Sequence, residues 1–237
     1  MRWLEKWLYT VCWKKFHSSC LIGDMPFFDK HLFRGTRAFE SSHDLIKKEV
    51  VELLKRYDEL APFQTMSPDQ ELLTREDNWK FFFLKCAAFR FKKNISLMPD
   101  TMRTVDRYPE IVSAYLSILA PGACLPPHRG PWSGILRVHL GVVIPPPNKD
   151  GVGPHILVDG QQYDWKEGEV VFFDDTYEHM AFNPTHNARV VLFMDILRPM
   201  SAPWHQINKF ILSCVWMFPY FWMPYFRHKK WEKKFHG

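Results

Sequence analysis

Hydrophobic and polar positions predict several helices before the middle of the chain. Residues 41–57 have the apolar spacing of one helix face, and Ser41 or Ser42 is placed to cap that helix. FFFLKCAAFRF (81–91) predicts a buried strand or a short helix, and PDTMRTVDRYPEI (99–111) predicts a helix flanked by prolines. A helical face near the N-terminus consists of Trp3, Leu4, Trp7, Leu8, Val11 and Cys12.

The pattern changes at about Val112. From there, short runs rich in β-branched and aromatic residues follow one another, separated by Pro, Gly, Asn and Asp. Examples are ILRVHLGVVIP (135–145) and ARVVLFMDIL (188–197). No helical period of useful length separates these runs, so we expect an antiparallel sandwich or barrel.

Composition narrows the class of protein. Hydrophobic residues make up 46% of the chain and aromatic residues 16%, which favours a packed core and a boundary between water and an apolar phase. The net charge of +5 is too small to indicate a nucleic-acid partner. The five cysteines form no CxxC pair, so a disulfide framework or thiolate zinc site is not expected, and a reducing compartment is favoured.

Both ends of the chain are basic and aromatic. Charges interrupt MRWLEKWLYTVCWKKF (1–16), so it does not read as a secretory signal. It fits a helix docked on its own domain or one lying on a membrane. Residues 210–226 carry no charge, are broken by Pro219 and Pro224, and precede the basic run RHKKWEKK (227–234). We expect a shallow or re-entrant membrane element here; packing against the domain or a partner, or a true span, are the alternatives.

The predicted β region places several chemically useful side chains near strand ends. His128 lies in a turn before a strand, and Arg137 and His139 are two apart on that strand, so they point to the same face. His179 follows another strand, and Arg189 opens the next one. Because strand ends and same-face residues of a small barrel converge on one mouth, these side chains are expected to share a pocket.

The residue types in this expected pocket suit a metal and an anion. Neutral imidazoles are good ligands for divalent iron, and two facing histidines leave coordination positions open. A buried arginine needs an anion and pairs best with a carboxylate. A dicarboxylate such as 2-oxoglutarate satisfies both demands. From spacing alone, however, a purely structural role for these histidines stays open.

Four motifs add a family resemblance. They are DNWKFFFLK (77–85), SILAPG (117–122), PPHRGPWSGILRVHLGVVIPP (126–146) and the long run from DGQQYDW to ILRP (159–199). Together they resemble the aspartyl/asparaginyl β-hydroxylase family, whose members are Fe(II)- and 2-oxoglutarate-dependent dioxygenases. The resemblance covers about residues 75–200. It implies a mainly β fold with flanking helices and a double-stranded β-helix core of the jelly-roll or cupin type.

The resemblance also implies roles for individual residues. His128 and His179 match the two iron ligands, and Arg189 matches the arginine that holds the far carboxylate of 2-oxoglutarate. The further residues implied to line the co-substrate pocket are Ser117, Arg137 and His139. For these three, an ordinary strand serine and a structural polar pair remain the alternatives. The implied co-substrates are 2-oxoglutarate and O2.

One position departs from the pattern of the wider dioxygenase class. Gly130 stands two residues after His128, where an aspartate or glutamate usually supplies a third ligand. Family members that resemble the peptide hydroxylase share this lack, and water is expected to fill the place. Asp174 and Asp175 precede His179, and we expect them to orient a ligand or close a turn rather than to bind the metal.

The resemblance implies hydroxylation of a C–H bond, and the sequence partly addresses the substrate. FFDKHLF (27–33) and VDGQQYDW (158–165) look closer to the branch that resembles the bacterial lipid A hydroxylase. We therefore expect a lipid A-type acyl chain at a membrane surface as substrate. Aspartyl or asparaginyl residues of peptides, or a free amino acid, are the alternative. An inactive membrane-bound scaffold is the second alternative.

These patterns together give an expected organisation. Residues 1–40 form an amphipathic arm, 41–203 form the dioxygenase domain with its β-helix core at about 112–200, and 204–237 form an aromatic and basic tail that meets the membrane. The expected location is the cytoplasmic side of a membrane, as a peripheral or monotopic protein.

Overall fold

The computed structural model describes residues 3–62, 77–214 and 219–236, with side chains from Thr10 in the first range and from Phe226 in the last. Within these ranges the helices are α1 (Trp3–Ser18), α2 (Thr36–Ser41), α3 (His43–Leu54), α4 (Lys92–Leu97), α5 (Pro99–Val105), α6 (Trp204–Ser213) and α7 (Pro219–His236). The strands are β1 (Phe27–Phe28), β2 (Trp79–Cys86), β3 (Phe89–Arg90), β4 (Ile111–Leu119), β5 (Cys124–His128), β6 (Ile135–Val143), β7 (His155–Val158), β8 (Gln161–Asp164), β9 (Val170–Phe173), β10 (His179–Phe182) and β11 (Arg189–Leu197).

The strands form two antiparallel sheets. The larger has 7 strands in the order β1-β9-β6-β11-β4-β2-β3, and the smaller has 4 in the order β5-β10-β7-β8. Every strand pairing within the described residues is antiparallel. The two sheets enclose a shared apolar layer, which is the arrangement of a jelly roll. The expected mainly β fold with flanking helices and a double-stranded β-helix core is therefore confirmed.

The larger sheet is buried on both faces, and its sequence shows why. In β9, Val170 and Phe172 pack into the apolar cluster that also receives α3 and α5, while Val171 and Phe173 pack into the cluster between the sheets. A strand covered on both sides needs no polar positions, so VVFF shows no alternation. Side chains on the inner face of this sheet form one wall of the space between the sheets.

The helix predicted over 41–57 corresponds to α3, which begins after Ser42 as expected but ends at Leu54, three residues before Tyr57. The structure has two helices that meet at Ser42, whose backbone angles (φ −91°, ψ 1°) leave the helical region. Just before the break, the Ser41 hydroxyl donates to the carbonyl of Ala38 (3.1 Å), which competes with helix continuation. Ser42 takes the N-cap position of α3, but its side chain makes no capping hydrogen bond.

Two neighbouring predictions are resolved in the structure. The run 81–91, expected as strand or short helix, lies in the antiparallel strands β2 and β3. The helix expected over 99–111 ends at Val105, because the chain turns through Asp106–Pro109 before β4 begins at Ile111. Pro99 occupies the first helical position of α5, where a missing N–H has no cost.

The N-terminal helix docks on the domain through its last turns. Phe16 is fully buried and packs edge-on against Trp132 and Trp204, with ring centroids 5.5 and 6.4 Å apart. Further along, β1 adds Phe27 and Phe28 to the edge of the larger sheet beside β9. These contacts join the first forty residues to Trp132, to Trp204 and to β9; the proposed domain boundaries stay a prediction.

The C-terminal helix α7 also packs on the domain where its side chains are described. Phe235 is 3% exposed and belongs to the apolar cluster beneath the helices. The Arg56 guanidinium lies 3.8 Å from the centre of the Phe235 ring. No helix in the described ranges combines the length and apolar character that crossing a membrane requires. Most of the charge-free segment 210–226 lies outside the described side chains, so its predicted membrane contact stays a prediction.

We expect His228 in α7 to make the stability of the protein depend on pH. The ring is 1% exposed, and its Nε2 accepts a hydrogen bond from Asn94 (3.0 Å). Burial, then the positive charges of Lys229 and His236, lower the pKa of His228 from 6.5 to about 3. The unfolded chain therefore takes up a proton first as pH falls, and His228 reduces the free energy of unfolding by about 1 kcal/mol per pH unit below about pH 6.5.

Urea unfolding at about pH 7 and about pH 5 measures this effect. The His228→Phe variant should lose less stability between these two values than the wild type. His31→Phe is the matched control, because it makes the same substitution at an exposed histidine. Equal losses in the wild type and in His228→Phe would contradict the prediction.

Candidate active site

His128 and His179 face each other across two neighbouring strands. β5 and β10 pair antiparallel, and the register places His128 directly opposite His179. Their ring centroids are 4.1 Å apart. Nδ1 of His128 donates to the carbonyl of Pro126 (2.8 Å), and Nδ1 of His179 donates to the carbonyl of Tyr177 (2.9 Å). Because a carbonyl only accepts, each ring carries its proton on Nδ1 and keeps the Nε2 lone pair for a metal.

The pKa values of the two rings support the same state. Burial, followed by the neighbouring His128, lowers the pKa of His179 to about 3. Burial also lowers the pKa of His128 from its usual 6.5. Both imidazoles are therefore neutral at physiological pH, which is the form that binds a metal. Taken together, the register and the ring state describe a preformed two-histidine site.

Gly130 leaves room for a carboxylate from another part of the chain. A Cβ at Gly130 would lie 1.9 Å from Oδ2 of Asp175, and the Gly130 N–H donates to the Asp175 carbonyl (2.7 Å). The Asp175 side chain is fully buried, and Nη2 of Arg137 lies 2.8 Å from its Oδ2. Burial raises the pKa of Asp175 to about 6, although Arg137 opposes that shift. The space that a side chain at position 130 would fill is thus occupied by the Asp175 carboxylate, which pairs with Arg137.

We expect Gly130→Ala to weaken metal binding. The methyl group would displace Asp175 and the loop that carries His128, and shifts of groups that support a ligand reduce metal affinity by about 10–100-fold. Titration with Co(II) as a spectroscopic stand-in for Fe(II) measures the change. Gly153→Ala is the control, since a Cβ there meets only Pro147 at 3.7 Å. Equal Co(II) affinity of Gly130→Ala and wild type would refute the packing argument.

Arg189 is a buried cation without a counter-ion. It is 2% exposed, forms no ion pair among the described residues, and its Nε has no hydrogen-bond partner there. Its guanidinium lies 4.4 Å from the centre of the Trp165 ring. Burial lowers the pKa of Arg189 to about 9. A buried charge of this kind is unfavourable unless an anion binds beside it.

Two more buried groups near Arg189 lack partners. Both ring nitrogens of His139 and Nε1 of Trp165 have none among the described residues. All three side chains line one cavity of about 160 Å³, together with His128 and His179. Burial, then Arg137 and Arg189, hold the pKa of His139 well below its usual range, so the ring is neutral and offers one N–H. Unsatisfied donors around one cavity indicate a small anion as its ligand.

Arg137 also lines the cavity, but its environment differs from that of Arg189. Its guanidinium lies 2.8 Å from Asp175 and 3.0 Å from Asp195, and above the Phe193 ring at 4.1 Å. Burial alone would lower its pKa, but the two carboxylates raise it instead. Two acids therefore already compensate Arg137, whereas the charge of Arg189 is left for a ligand.

Ser117 is in the cavity wall and is held from the neighbouring strand. Its hydroxyl accepts a hydrogen bond from Nε1 of Trp79 (3.0 Å), and both side chains are buried. All six residues singled out from the sequence thus line one cavity; their catalytic roles stay predictions. Sequence reasoning missed the contributions of Trp79, Trp165, Asp195 and the Asp175–Arg137 pair. Local spacing gave no signal for these contributions; Arg137 and Asp195, for example, meet only through the register of β6 and β11.

The fold and cavity define a jelly-roll protein with two facing neutral histidines and an uncompensated arginine, an arrangement suited to a metal and an anionic co-substrate. The chain belongs to the aspartyl/asparaginyl beta-hydroxylase family, whose sequence model matches residues 40–199. It is accordingly a member of a family of hydroxylating enzymes.

Individual relatives differ in how much of the chain they match. An ornithine lipid ester-linked acyl 2-hydroxylase of Rhizobium tropici is 37% identical over 91% of this chain and 76% of that protein. The human aspartyl/asparaginyl beta-hydroxylase is 30% identical over 57% of this chain but only 18% of its own length. Among solved structures, a Pseudomonas putida prolyl-4-hydroxylase is similar with a TM-score of 0.44 and 16% identity, covering 66% of this chain and 88% of that one.

Proposed function

We propose that the protein is an Fe(II)- and 2-oxoglutarate-dependent dioxygenase that hydroxylates an acyl chain of a membrane lipid. The observation that carries the proposal is the uncompensated Arg189, which lines the same cavity as the two metal-ready imidazoles. A dicarboxylate that reaches from a metal to a buried guanidinium satisfies both at once. 2-Oxoglutarate has this form.

The residues present fit these groups. His128 and His179 would hold the iron through Nε2, because Nδ1 of each is committed to a backbone carbonyl. Arg189 would hold the far carboxylate, and the N–H of His139 is available to the same ligand. When bound, iron and 2-oxoglutarate supply activated oxygen for insertion into a C–H bond. The protein orients the co-substrate, keeps both ligand rings neutral and excludes water from the cavity.

An acyl chain is the substrate class favoured by the relatives and by the lining of the cavity. The Rhizobium tropici relative is named for acting on the ester-linked acyl chain of an ornithine lipid, and it matches nearly the whole of this chain. Apolar side chains from both sheets also line the cavity: Phe81, Leu125, Ile156, Ala181 and Phe193. Such a wall accepts methylene groups without leaving polar groups unpaired. We therefore favour an amino-acid lipid over the lipid A-type lipid expected from sequence.

A peptide substrate is the second candidate. It is favoured by the similarity to the human aspartyl/asparaginyl beta-hydroxylase, which covers little more than half of this chain. The exposed Arg129 at the cavity lining could bind a substrate carboxylate, which is compatible with either class. An inactive scaffold is disfavoured by the uncompensated Arg189, since a buried charge without a ligand only lowers stability.

The proposal is tested by incubating the full chain with Fe(II), 2-oxoglutarate and O2. Ornithine lipid, lipid A and an aspartate-containing peptide are offered in parallel, and mass spectrometry detects a gain of one oxygen atom. We expect succinate release and oxygen gain on the acyl chain of ornithine lipid, and neither in His128→Ala. Oxygen gain on the peptide alone would reject the lipid substrate. No consumption of 2-oxoglutarate with any substrate would reject the dioxygenase.

We further propose that the protein is peripheral or monotopic on the cytoplasmic side of a membrane, where it would meet a lipid substrate. The basic run 227–234 supports this assignment through its attraction to anionic lipids. Sedimentation with liposomes of anionic and of neutral lipids measures the association. The proposal expects binding to anionic liposomes that weakens with salt, and no sedimentation with either type would reject it.

A further inference from the structure

The end of α1 contacts the turn that leads into the second histidine. Nδ1 of His17 lies 2.8 Å from Oδ1 of Asp24, and Nε2 of the same ring lies 3.2 Å from Oγ1 of Thr176. The imidazole thus bridges the loop after α1 and the turn Asp174–Tyr177. The Tyr177 hydroxyl donates to the same Asp24 oxygen (3.0 Å), which closes a ring of contacts.

The turn Asp174–Tyr177 holds both histidine segments. The Tyr177 carbonyl accepts the Nδ1 hydrogen bond of His179 (2.9 Å) and so sets the orientation of that ring. The Thr176 carbonyl accepts a hydrogen bond from Arg129 (3.0 Å), the residue directly after His128. A displacement of this turn would therefore move the supports of both rings together.

Buried contacts fix the other side of the turn. Oδ1 of Asp174 accepts from the hydroxyl (2.7 Å) and the N–H (3.0 Å) of Thr176, while its Oδ2 pairs with Arg198. Asp174 and Arg198 are both fully buried. From the N-terminal segment, His17 and Asp24 reach the turn with their side chains, and the Pro26 carbonyl accepts a hydrogen bond from the Asp174 N–H (3.0 Å).

We propose that His17 is a positioning residue that holds the Asp174–Tyr177 turn from α1 and thereby orients the metal ligand His179. The inference rests on the proposed function, because it assigns a metal to that ligand. The family match begins at residue 40, so His17 and Asp24 belong to the part of the chain outside it. The N-terminal helix is then part of the site's support as well as a docked arm.

The same side chains also resemble a second metal site. One ligand atom each of His17, Asp24 and Asp174 lies within 4.8 Å of the others. Protein partners already engage these groups, however: Asp24 holds Nδ1 of His17, while Thr176 and Arg198 hold the two oxygens of Asp174. Hydrogen bonding thus accounts for the cluster without a cation, and the metal stoichiometry distinguishes the two interpretations.

The experiment titrates the full chain with Co(II) and records its visible absorption. His17→Ala should weaken Co(II) affinity about 10-fold or more and shift the absorption band, as loss of a group that supports a ligand does. His17→Gln retains one polar donor group, which can reach Asp24 or Thr176, and should restore part of the affinity. Thr176→Val removes the hydroxyl that His17 contacts and should also weaken Co(II) affinity. His31→Ala, at an exposed histidine of the same segment, should match the wild type.

Two results would overturn the positioning role. One is an unchanged affinity and spectrum in His17→Ala with a wild-type melting temperature, even if Thr176→Val, which also loses the contact with Asp174, binds Co(II) more weakly. The other is a wild type that binds two equivalents of Co(II) where His17→Ala binds one, which would assign the cluster to a second metal. Failure of the proposed function looks different: the wild type would bind one Co(II) through His128 and His179 yet consume no 2-oxoglutarate with any substrate.

Discussion

The His179→Ala substitution is expected to abolish hydroxylation and to reduce metal affinity by more than about 100-fold. His179 supplies one of two imidazoles, and its partner His128 lies directly opposite in the strand register. With Gly130 in place of an acid, the site has no third ligand from the usual position to compensate for the loss. His128→Ala should have the same effect for the same reason. Co(II) titration and 2-oxoglutarate consumption measure the two consequences separately.

The control for both variants is His186→Ala. His186 is exposed and lies in the loop between β10 and β11, outside the cavity lining. Its substitution should leave affinity and turnover at wild-type levels. If His179→Ala kept tight Co(II) binding with one equivalent per chain, the metal would have to lie elsewhere, and the assignment of the cavity would fail.

The Arg189→Met substitution is expected to weaken co-substrate binding and, at the same time, to stabilise the ligand-free protein. It should raise the KM for 2-oxoglutarate about 30-fold or more, because removing one partner of a buried charge pair costs about 2–5 kcal/mol. It should also raise the stability of the ligand-free protein, because Arg189 is buried without a counter-ion and methionine fills similar space without a charge.

Steady-state kinetics and urea unfolding without ligand test the two effects. Arg189→Lys keeps the charge but loses the two-pronged geometry, so its KM should lie between those of the wild type and Arg189→Met. Arg107→Met is the control, because Arg107 is exposed and does not line the cavity. An unchanged KM in Arg189→Met would reject the carboxylate site, and a large loss of stability would reject the account of an uncompensated charge.

Two independent arguments from the sequence identified His128, His179 and Arg189 as candidate site residues. Position at strand ends predicted that they share a mouth, and the motif around PPHRG (126–130) gave the family that assigns their roles. The same-face placement of Arg137 and His139 follows from the two-residue period of a strand, and both do line the cavity. Predictions of this kind are confirmed by the structure because they depend only on a few residues that are neighbours in sequence.

What the sequence did not predict depends on contacts between distant segments. Asp175 and Asp195 compensate Arg137 through a turn and a neighbouring strand, and neither partner is identifiable from local spacing. The contrast between Arg137 and Arg189 therefore emerges only when the sheets are assembled. The sequence did place a helix start at Ser41 or Ser42, as the structure has it, but it did not predict the short helix α2 that precedes Ser42.

The role of the N-terminal segment also depends on contacts that local sequence does not predict. Its apolar face predicted a helix, and docking and membrane contact were both open from that face alone. The polar His17 was assigned no role, yet its ring contacts Asp24 and Thr176 beside the candidate metal site. Polar contacts between segments so far apart in sequence cannot be predicted from periodicity, because only the fold brings them together.

The direct pairing of His128 with His179 has a consequence for how this protein can change during evolution. The distance between the two imidazoles is set by neighbouring backbones, and the length of chain between them does not enter. Insertions in the intervening loops, such as residues 145–154, therefore leave the facing pair of histidines in place. A single-residue slip of β10 against β5, by contrast, would turn one ring away and end catalysis at once.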